Sequence, residues 1–163
     1  RQGILRDTEE QIEYVNYLIN TYKLIYVEDP VHEEDFKTMA AITKKNSKCL
    51  VTGDDILVTN ALRVREAIKH GSCSGAILKV NQAGSLYDAL NFAKECTNNN
   101  IRIVTSHRSG ESTDSHISHI AIATGSKMLK AGVIGGERVS KLNELLRLSE
   151  YDLIDGMAEV SST

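Results

Sequence analysis

The fold of this protein is decided around residues 101–111, which read IRIVTSHRSGE. The first five residues form an apolar run that is typical of a buried strand. The residues that follow bring a cation, a hydroxyl donor and free backbone N–H groups to the end of that strand, at His107, Arg108, Ser109 and Gly110. Such a segment suits an anion, because the planar fork of an arginine donates two hydrogen bonds to one phosphate or carboxylate. A polar loop with an incidental arginine is the alternative interpretation at this point.

Apolar runs of strand length recur on both sides of this segment and alternate with stretches of helical periodicity. Together with residues 101–105, the predicted strands are residues 24–27, 49–52, 76–78 and 127–130. Helices are predicted over residues 8–22 and 33–45, from a cap at Thr59 or Asn60 to Gly71, from a cap at Ser85, over residues 117–124, and around residues 139–146. Residues 120–123 also suit a strand, so the helix that contains them has an alternative.

Three finer features of these elements are also predicted. Thr8 and Gln11 fit a capping box at the start of the first helix. Residues 155–163 are polar and are expected to be frayed. The helix after Ser85 is expected to bury one side, which carries Leu86, Ala89, Leu90 and Ala93.

The predicted strands end at regular intervals in residues that carry chemistry. Glu28, Asp54, Lys79 and His107 follow four successive strands at steps of 26, 25 and 28 residues. Each step accommodates one strand and one helix, so we predict an α/β protein with parallel strands and covering helices. Because ligands bind at the carboxyl ends of such strands, this series is typical of the active site of a β/α barrel.

The composition is that of one ordinary soluble domain. The chain has 163 residues, of which 41% are hydrophobic and 25% charged, and its net charge is −3. The 19 lysines and arginines are scattered, which argues against a nucleic-acid partner, and no apolar run has the length of a membrane span. Cys49, Cys73 and Cys96 lack the spacing of metal ligands and are expected to be free thiols in the reducing cytoplasm.

Two carboxylates and two lysines at the strand ends suggest a type of reaction. Glu28 and Asp54 offer the oxygen ligands that Mg²⁺ prefers. The alternative is N-capping by the aspartates that follow them, Asp29 or Asp55, so that one residue of each acidic pair serves only as a cap. Lys79 and Lys130 each end a strand, where a lysine either reaches solvent or serves as a base whose pKa is lowered by burial and nearby cations. Two lysines that face two carboxylates favour removal of a proton beside a metal-bound carboxylate.

Five segments at these strand ends resemble, in the same order, the successive motifs of enolase, the phosphopyruvate hydratase of glycolysis. They are residues 27–30 (VEDP), 53–55 (GDD), 78–82 (LKVNQ), 106–111 (SHRSGE) and 129–132 (LKAG). Residues 136–147 also resemble the enolase C-terminus, and the resemblance extends from residue 8 to residue 150. It implies that the fold is the second half of a TIM-type β/α barrel with parallel strands and covering helices.

The resemblance implies a role for each residue at the strand ends. Glu28 and Asp54 are expected to bind the Mg²⁺ that holds the substrate carboxylate. Lys79 is expected to remove the C2 proton of 2-phosphoglycerate, and Lys130 to stabilise the enediolate and contact the carboxylate. The implied products are phosphoenolpyruvate and water.

The phosphate-binding part of the resemblance lies in the opening segment. Arg108 and Ser109 are expected to bind the phosphate, and His107 to contact the substrate. This segment argues against a third alternative, a relative from the same superfamily that acts on a carboxylate without a phosphate.

The resemblance is limited in extent. Enolases have an N-terminal domain and an earlier barrel half, so residues 1–163 are expected to be only the C-terminal part of a barrel that typically needs ~250 residues. The absent part carries a third carboxylate ligand and the acidic groups that assist loss of the hydroxyl, and this chain alone is therefore expected to be inactive. The expected partner is the missing part or a second copy of the chain. The alternative function is a stand-alone, non-catalytic binding or scaffold protein that self-associates.

Overall fold

The computed structural model describes residues 5–160, in which five strands alternate with seven helices. All five predicted strands are present, each displaced by no more than two residues at either end. The strands are β1 (Tyr26–Glu28), β2 (Leu50–Gly53), β3 (Gly75–Leu78), β4 (Arg102–Ser106) and β5 (Met128–Lys130). The helices are α1 (Thr8–Tyr22), α2 (Phe36–Lys45), α3 (Ala61–His70), the single-turn α4 (Val80–Ala83), α5 (Leu86–Asn98), α6 (His116–Ala123) and α7 (Gly136–Leu148).

The five strands form one sheet in the order β1-β2-β3-β4-β5, and every neighbouring pair is parallel. The register places Val27 beside Val51 and Ser106 beside Lys130. Because spatial order equals sequence order, each strand is joined to its neighbour by a helical crossover. The predicted α/β class with parallel strands and covering helices is confirmed.

Two apolar layers stabilise the sheet. The larger layer lies between the sheet and the helices and contains side chains with no exposed surface, such as Met39, Ile42 and Phe92. Successive residues of a strand point to opposite faces, and the strands that are buried on both faces are mostly apolar, with buried hydroxyls at Thr52, Thr105 and Ser106. The smaller layer lies on the other face and takes one side chain from each strand: Tyr26, Leu50, Ile77, Val104 and Met128.

The sheet curves enough for side chains at the carboxyl ends of its two outermost strands to contact each other. Lys130 Nζ on β5 lies 2.5 Å from Glu28 Oε2 on β1, although three strands separate them in the sheet. Gly75 leaves room on the inner face, since a Cβ there would lie 2.5 Å from Thr52 Oγ1 and 2.7 Å from Leu50 Cγ. The five strands therefore form half of a barrel, with their carboxyl ends at its mouth.

The predicted capping box of α1 is wrong by one residue. Asp7 accepts a hydrogen bond from the backbone N–H of Glu10 at 2.9 Å, and the Glu10 carboxylate accepts one from the backbone N–H of Asp7 at 3.0 Å. The box is therefore Asp7–Glu10 rather than Thr8–Gln11, because Thr8 is already the first helical residue.

The predicted buried stripe of α5 is only partly right. The two alanines of that stripe are buried, but Leu86 and Leu90 are 51% and 43% exposed. Phe92 and Cys96 are buried instead. Since these two side chains face the sheet, the buried stripe is rotated away from both leucines.

The other helix ends follow their caps. Asn60 caps α3, which ends at Gly71, and Ser85 caps α5, as predicted. Helix α2 begins at Phe36 rather than residue 33, because Asp35 accepts the hydrogen bond that starts it. Residues 120–123 are helical, which settles the alternative of a strand.

The carboxyl-terminal tail, which the sequence predicted to be frayed, is described only in part. Residues 155–160 have neither helix nor strand, and residues 161–163 lie outside the described residues. Among the described helices, none has the length and hydropathy that crossing a membrane requires.

Candidate active site

The mouth of the half-barrel carries the residues that the sequence predicted for the site. Glu28 and Lys130 are the last residues of β1 and β5. Asp54, Lys79 and His107 directly follow β2, β3 and β4. Because all five strands are parallel, these residues share one edge of the sheet.

Asp54 and Lys79 form an ion pair that is almost sealed from solvent. Lys79 Nζ donates to Asp54 Oδ2, and the two side chains are only 14% and 10% exposed, respectively. The other carboxylate oxygen, Asp54 Oδ1, is buried and has no hydrogen-bond partner among residues 5–160. Burial raises the pKa of Asp54; the Lys79 ammonium offsets only part of this, and the charges of Glu28 and Asp29 raise the pKa further. An unpaired carboxylate oxygen in such a place is a suitable ligand for a hard cation.

Glu28 is paired across the mouth. Its Oε2 accepts hydrogen bonds from Lys130 Nζ at 2.5 Å and from the Tyr26 hydroxyl at 2.6 Å. Burial alone would raise the pKa of Glu28, but these two hydrogen bonds outweigh it, and the pKa lies below its usual value. Burial and the neighbouring carboxylate raise the pKa of Tyr26, so the phenol keeps its proton and stays a donor. Glu28 is therefore a carboxylate held in place by two donors.

Asp29 ties β1 to the turn after β2. Its two oxygens accept hydrogen bonds from the backbone N–H groups of Asp54 and Asp55 at 2.9 and 2.8 Å. Asp29 therefore binds backbone N–H groups, but those of a turn rather than of a helix N-terminus. Oxygens of Asp29, Asp54 and Asp55 also lie within 4.8 Å of one another, an arrangement that could hold a metal ion. Only Asp54 is common to this cluster and to the predicted metal pair with Glu28.

The turn between β2 and α3 fixes the backbone of Lys79. Val58 and Thr59 adopt left-handed φ angles of 43° and 49°, which are costly for β-branched residues. This conformation lets Thr59 Oγ1 accept a hydrogen bond from the Lys79 N–H at 3.0 Å and donate one to Gln82 Oε1 at 2.8 Å. The sequence marked Thr59 only as a possible helix cap, because residue spacing carries no signal for a contact between two turns.

The predicted anion-binding segment is exposed beyond its first residue. His107 is half-buried, and its backbone N–H donates to the Lys130 carbonyl at 3.2 Å, which extends the β4–β5 alignment into the mouth. Arg108 and Ser109 are exposed in the loop between β4 and α6. The Arg108 guanidinium makes no ion pair or hydrogen bond within the described part of the chain. The structure therefore brings His107 to the strand ends and leaves the other two side chains in the loop.

Arg138 on α7 contacts this segment, although no role was predicted for it from the sequence. Its Nη1 lies 3.1 Å from His107 Nε2, and its Nη2 lies 3.5 Å from the Ser109 carbonyl oxygen. The sequence contained one hint, since Arg138 lies in the stretch that resembles the enolase C-terminus. That resemblance does not show which strand end an arginine of α7 reaches.

Lys141, one turn further along α7, is a second residue for which the sequence predicted no role. Its side chain is fully buried, and Nζ donates to the Ser112 carbonyl and lies 3.7 Å from Glu111 Oε1. A lysine on an amphipathic helix normally indicates a solvent-exposed position, so the pattern contained no signal for this contact. Helix α7 thus holds the segment after β4 at two points.

Comparison with known proteins identifies the family. The family model described as "Enolase, C-terminal TIM barrel domain" matches residues 4–158. The chain belongs to the enolase family. "Enolase" of Methanosphaera stadtmanae is 46% identical over 161 residues, which make up 98% of this chain and 39% of that protein. "Enolase" of Methanothermobacter thermautotrophicus is 44% identical with the same coverage, and that of Archaeoglobus fulgidus is 46% identical over 143 residues, 88% of this chain and 36% of that enolase.

These findings confirm the resemblance and the fold class. The half-barrel is part of an enolase TIM barrel. The chain spans about 39% of the length of the two enolases with the longest of these matches. Within this enolase-family domain, the aspartate cluster at the mouth is a group that could hold a metal ion.

Proposed function

We propose that this chain is the C-terminal part of an enolase and supplies half of the site that reversibly dehydrates 2-phosphoglycerate to phosphoenolpyruvate. The observation that carries the proposal is the pairing of Lys79 with Asp54 and of Lys130 with Glu28 at one barrel mouth. Formation of an enediolate from a carboxylate substrate needs a base and a concentration of positive charge. Family membership supports the choice of this reaction over others with the same requirement.

The proposed metal is Mg²⁺, with Glu28 and Asp54 as two of its ligands. Asp54 fits this role because its Oδ1 is buried without a partner among the described residues and its pKa is raised. When bound there, Mg²⁺ supplies positive charge to the substrate carboxylate. Asp29 is less suited as a ligand, since backbone N–H groups already occupy both of its oxygens.

The two lysines have separate proposed roles. In its neutral amine form, after the proton that it shares with Asp54 has left to solvent, Lys79 Nζ takes the C2 proton of 2-phosphoglycerate. The hydrogen bond between the Lys79 backbone and Thr59 sets the position from which it acts. Lys130 Nζ contacts the substrate carboxylate and stabilises the enediolate. Both ammonium groups already lie against carboxylates, so a negatively charged substrate joins a site whose charges are ordered before it binds.

The phosphate is assigned to the loop after β4. Arg108 and Ser109 are exposed there, and the guanidinium of Arg108 is not engaged by any described residue, so its fork is available for two phosphate oxygens. His107 supplies a further substrate contact from the edge of the mouth.

The proposed partner is the N-terminal part of an enolase, which would supply the remaining metal ligand and the acid. Apolar side chains beside the outermost strands support a covering partner, since Ile25, Val133 and Ile134 are 59%, 72% and 85% exposed. The same surface favours the alternative, a non-catalytic chain that self-associates. The three cysteines are free thiols, as predicted, which suits the proposed location in the cytoplasm.

The test is a chimera in which this chain replaces the matching segment of the Methanosphaera stadtmanae enolase. We expect Mg²⁺-dependent formation of phosphoenolpyruvate, and we expect Lys79→Ala to lower kcat by about 10²–10⁴-fold, the usual cost of losing a general base. Lys94→Ala is the matched control, since Lys94 is exposed on α5, and it should leave the rate unchanged. A chimera that folds and binds Mg²⁺ but forms no product would contradict the proposal.

The isolated chain separates the proposal from its alternative. We expect no turnover by the 163-residue chain, because the resemblance to enolases assigns the acidic groups that assist loss of the hydroxyl to a part of the enzyme that this chain does not match. Turnover by this chain alone would show that a second copy completes the site. A stable dimer in sedimentation experiments, together with an inactive chimera, would favour the scaffold function.

A further inference from the structure

Neighbouring residues hold the Arg138 side chain near the start of α7, and its guanidinium extends to the barrel mouth. Its side chain is 19% exposed, and its Nε lies 3.5 Å from Glu137 Oε1. Its aliphatic stem lies against Gly132, where a Cβ would be 3.5 Å from Arg138 Cδ. The guanidinium is thus held in place by neighbours on its own side, and its Nη1 faces His107 Nε2 at 3.1 Å.

This contact decides which nitrogen of His107 carries a proton. A guanidinium has five N–H donors and no acceptor, so Nε2 must offer its lone pair. An imidazolium has no lone pair to offer, and the Nε2–H tautomer would turn a hydrogen toward the guanidinium hydrogens. Only the neutral form with the proton on Nδ1 makes the hydrogen bond.

The proton then sits on an atom without a partner. His107 Nδ1 is buried and makes no hydrogen bond to any described residue. A buried donor without an acceptor is uncommon and unfavourable, so this donor is completed by an oxygen from outside the described residues. His107 directly precedes Arg108 and Ser109, and its backbone N–H donates to the Lys130 carbonyl. It therefore lies at the edge of the mouth where the anion is proposed to bind.

We propose that Arg138 is a positioning residue that holds His107 as the neutral Nδ1–H tautomer, which then donates a hydrogen bond to an oxygen of the anionic ligand. The identity of that ligand rests on the proposed function, in which it is 2-phosphoglycerate. The assignment of the tautomer rests only on the contacts of Arg138. The second contact of Arg138, between Nη2 and the Ser109 carbonyl at 3.5 Å, keeps the rest of the segment beside the same helix.

The experiment is nitrogen-15 NMR spectroscopy of the imidazole rings of the whole chain near neutral pH. The His107 signals are assigned by their loss in His107→Gln. We expect a protonated, pyrrole-type shift for Nδ1 and an unprotonated, pyridine-type shift for Nε2. Arg138→Met keeps the stem but removes the donors, and should move the Nε2 shift toward the average of exchanging tautomers. Arg138→Lys also has donors only, and should retain the wild-type pattern.

The matched control is Arg65→Met, which removes an arginine from an ion pair with Glu95 on the surface. It should leave the His107 signals unchanged. A wild-type spectrum with the proton on Nε2, or one of an imidazolium, overturns the proposal. An Arg138→Met spectrum identical to that of the wild type overturns it as well.

Kinetics of the chimera test the contact with the ligand. We expect Arg138→Met to lower kcat/KM by about tenfold, as for one misplaced hydrogen bond, and Arg138→Lys to recover most of it. An active chimera that Arg138→Met does not affect shows that Nδ1–H does not serve the ligand. An inactive chimera whose His107 has the expected tautomer shows instead that the proposed function is wrong and that the role of Arg138 stands.

Discussion

Two regions of the barrel mouth are stabilised in different ways. In one, which we call the paired side, Glu28, Asp54, Lys79 and Lys130 neutralise one another directly across the strand ends. In the other, which we call the loop side, residues 107–112 are held by contacts from α7. One of these contacts joins His107 to Arg138, which lies 31 positions further along the chain. The sheet fixes the paired side, whereas a helix outside the sheet fixes the loop side.

The comparison shows that a ligand meets different conditions on the two sides. On the paired side each charge already has a partner, so a cation or an anion must share or displace an ion pair. On the loop side the Arg108 guanidinium has no partner among the described residues, so a phosphate gains its hydrogen bonds without breaking others. We therefore expect changes on the paired side to alter stability as well as function, and changes at the tip of the loop side to alter function alone.

The largest effect is expected from Lys79→Met on the paired side. Removal of one partner from a buried ion pair leaves the other charge uncompensated, which costs about 3–5 kcal/mol. We expect the free energy of unfolding, measured in urea near neutral pH, to fall by about that amount. The loss should shrink as the pH is lowered, because a raised pKa lets Asp54 take a proton and lose its charge in the folded state.

The double variant Lys79→Met/Asp54→Leu is the control for this prediction. Replacement of both members of a buried pair by apolar side chains is often neutral or stabilising, so it should recover most of the lost stability. If the double variant is as unstable as Lys79→Met, the loss does not come from an uncompensated Asp54 carboxylate.

The next largest effect is expected from Lys141→Met, which removes a support of the loop side. The thioether fills the space of the lysine stem but leaves the Ser112 carbonyl without its donor and Glu111 without its cation, at a cost of about 2 kcal/mol. Hydrogen exchange should speed up in residues 107–112 while β1–β3 stay protected. Lys94→Met, at an exposed position on α5, is the control and should change neither quantity.

Equal loss of protection in β1 and in residues 107–112 of the Lys141→Met variant would contradict the distinction between the two sides. It would mean that α7 supports the whole sheet rather than the loop alone.

The paired side was easier to predict from the sequence than the loop side. Residues of the paired side lie at or directly after strand ends, and strand ends are visible as the limits of apolar runs. One βα step between them is enough to place Glu28, Asp54 and Lys79 at one edge of a parallel sheet. The number of βα units, however, does not show how far the sheet curves. The contact between Glu28 and Lys130 depends on that curvature.

The supports of the site could not be predicted, because they depend on distant contacts or on unusual backbone angles. Lys141 resembles a surface lysine in its sequence, and only the packing of α7 makes it buried. Thr59 resembles a helix cap, and only its left-handed φ turns its hydroxyl to the backbone of Lys79. Leu86 and Leu90 were wrongly predicted to be buried, because residue spacing alone does not show which of two adjacent helix stripes meets the sheet.

A smaller effect is expected from Glu28→Gln, and it should depend on pH. The folded-state pKa of Glu28 is lowered from 4.5 by its donors, so its contribution is present above that pH and is lost as the pH falls through the folded-state pKa. The Lys130 side chain is 43% exposed, which limits the contribution to about 1 kcal/mol. Urea unfolding should show the variant to be less stable near neutral pH and equal to the wild type in acid. If the difference in free energy of unfolding grew in acid, the hydrogen bonds from Lys130 and Tyr26 would not be what stabilises the Glu28 carboxylate.

The smallest effect on stability is expected from Arg108→Ala, at the tip of the loop side. Arg108 is exposed and makes no contact with a partner in the described residues, so the free energy of unfolding should change by less than about 0.5 kcal/mol. In the chimera the same substitution should weaken binding of 2-phosphoglycerate strongly, because it removes both hydrogen bonds of a bidentate phosphate contact. Arg65→Ala, which loses only an ion pair on the surface, should leave binding unchanged. Isothermal calorimetry measures the affinity, and urea unfolding of the chain measures the stability. If Arg108→Ala lowers stability and affinity together, Arg108 belongs to the folded core of the loop side rather than to its ligand-binding tip.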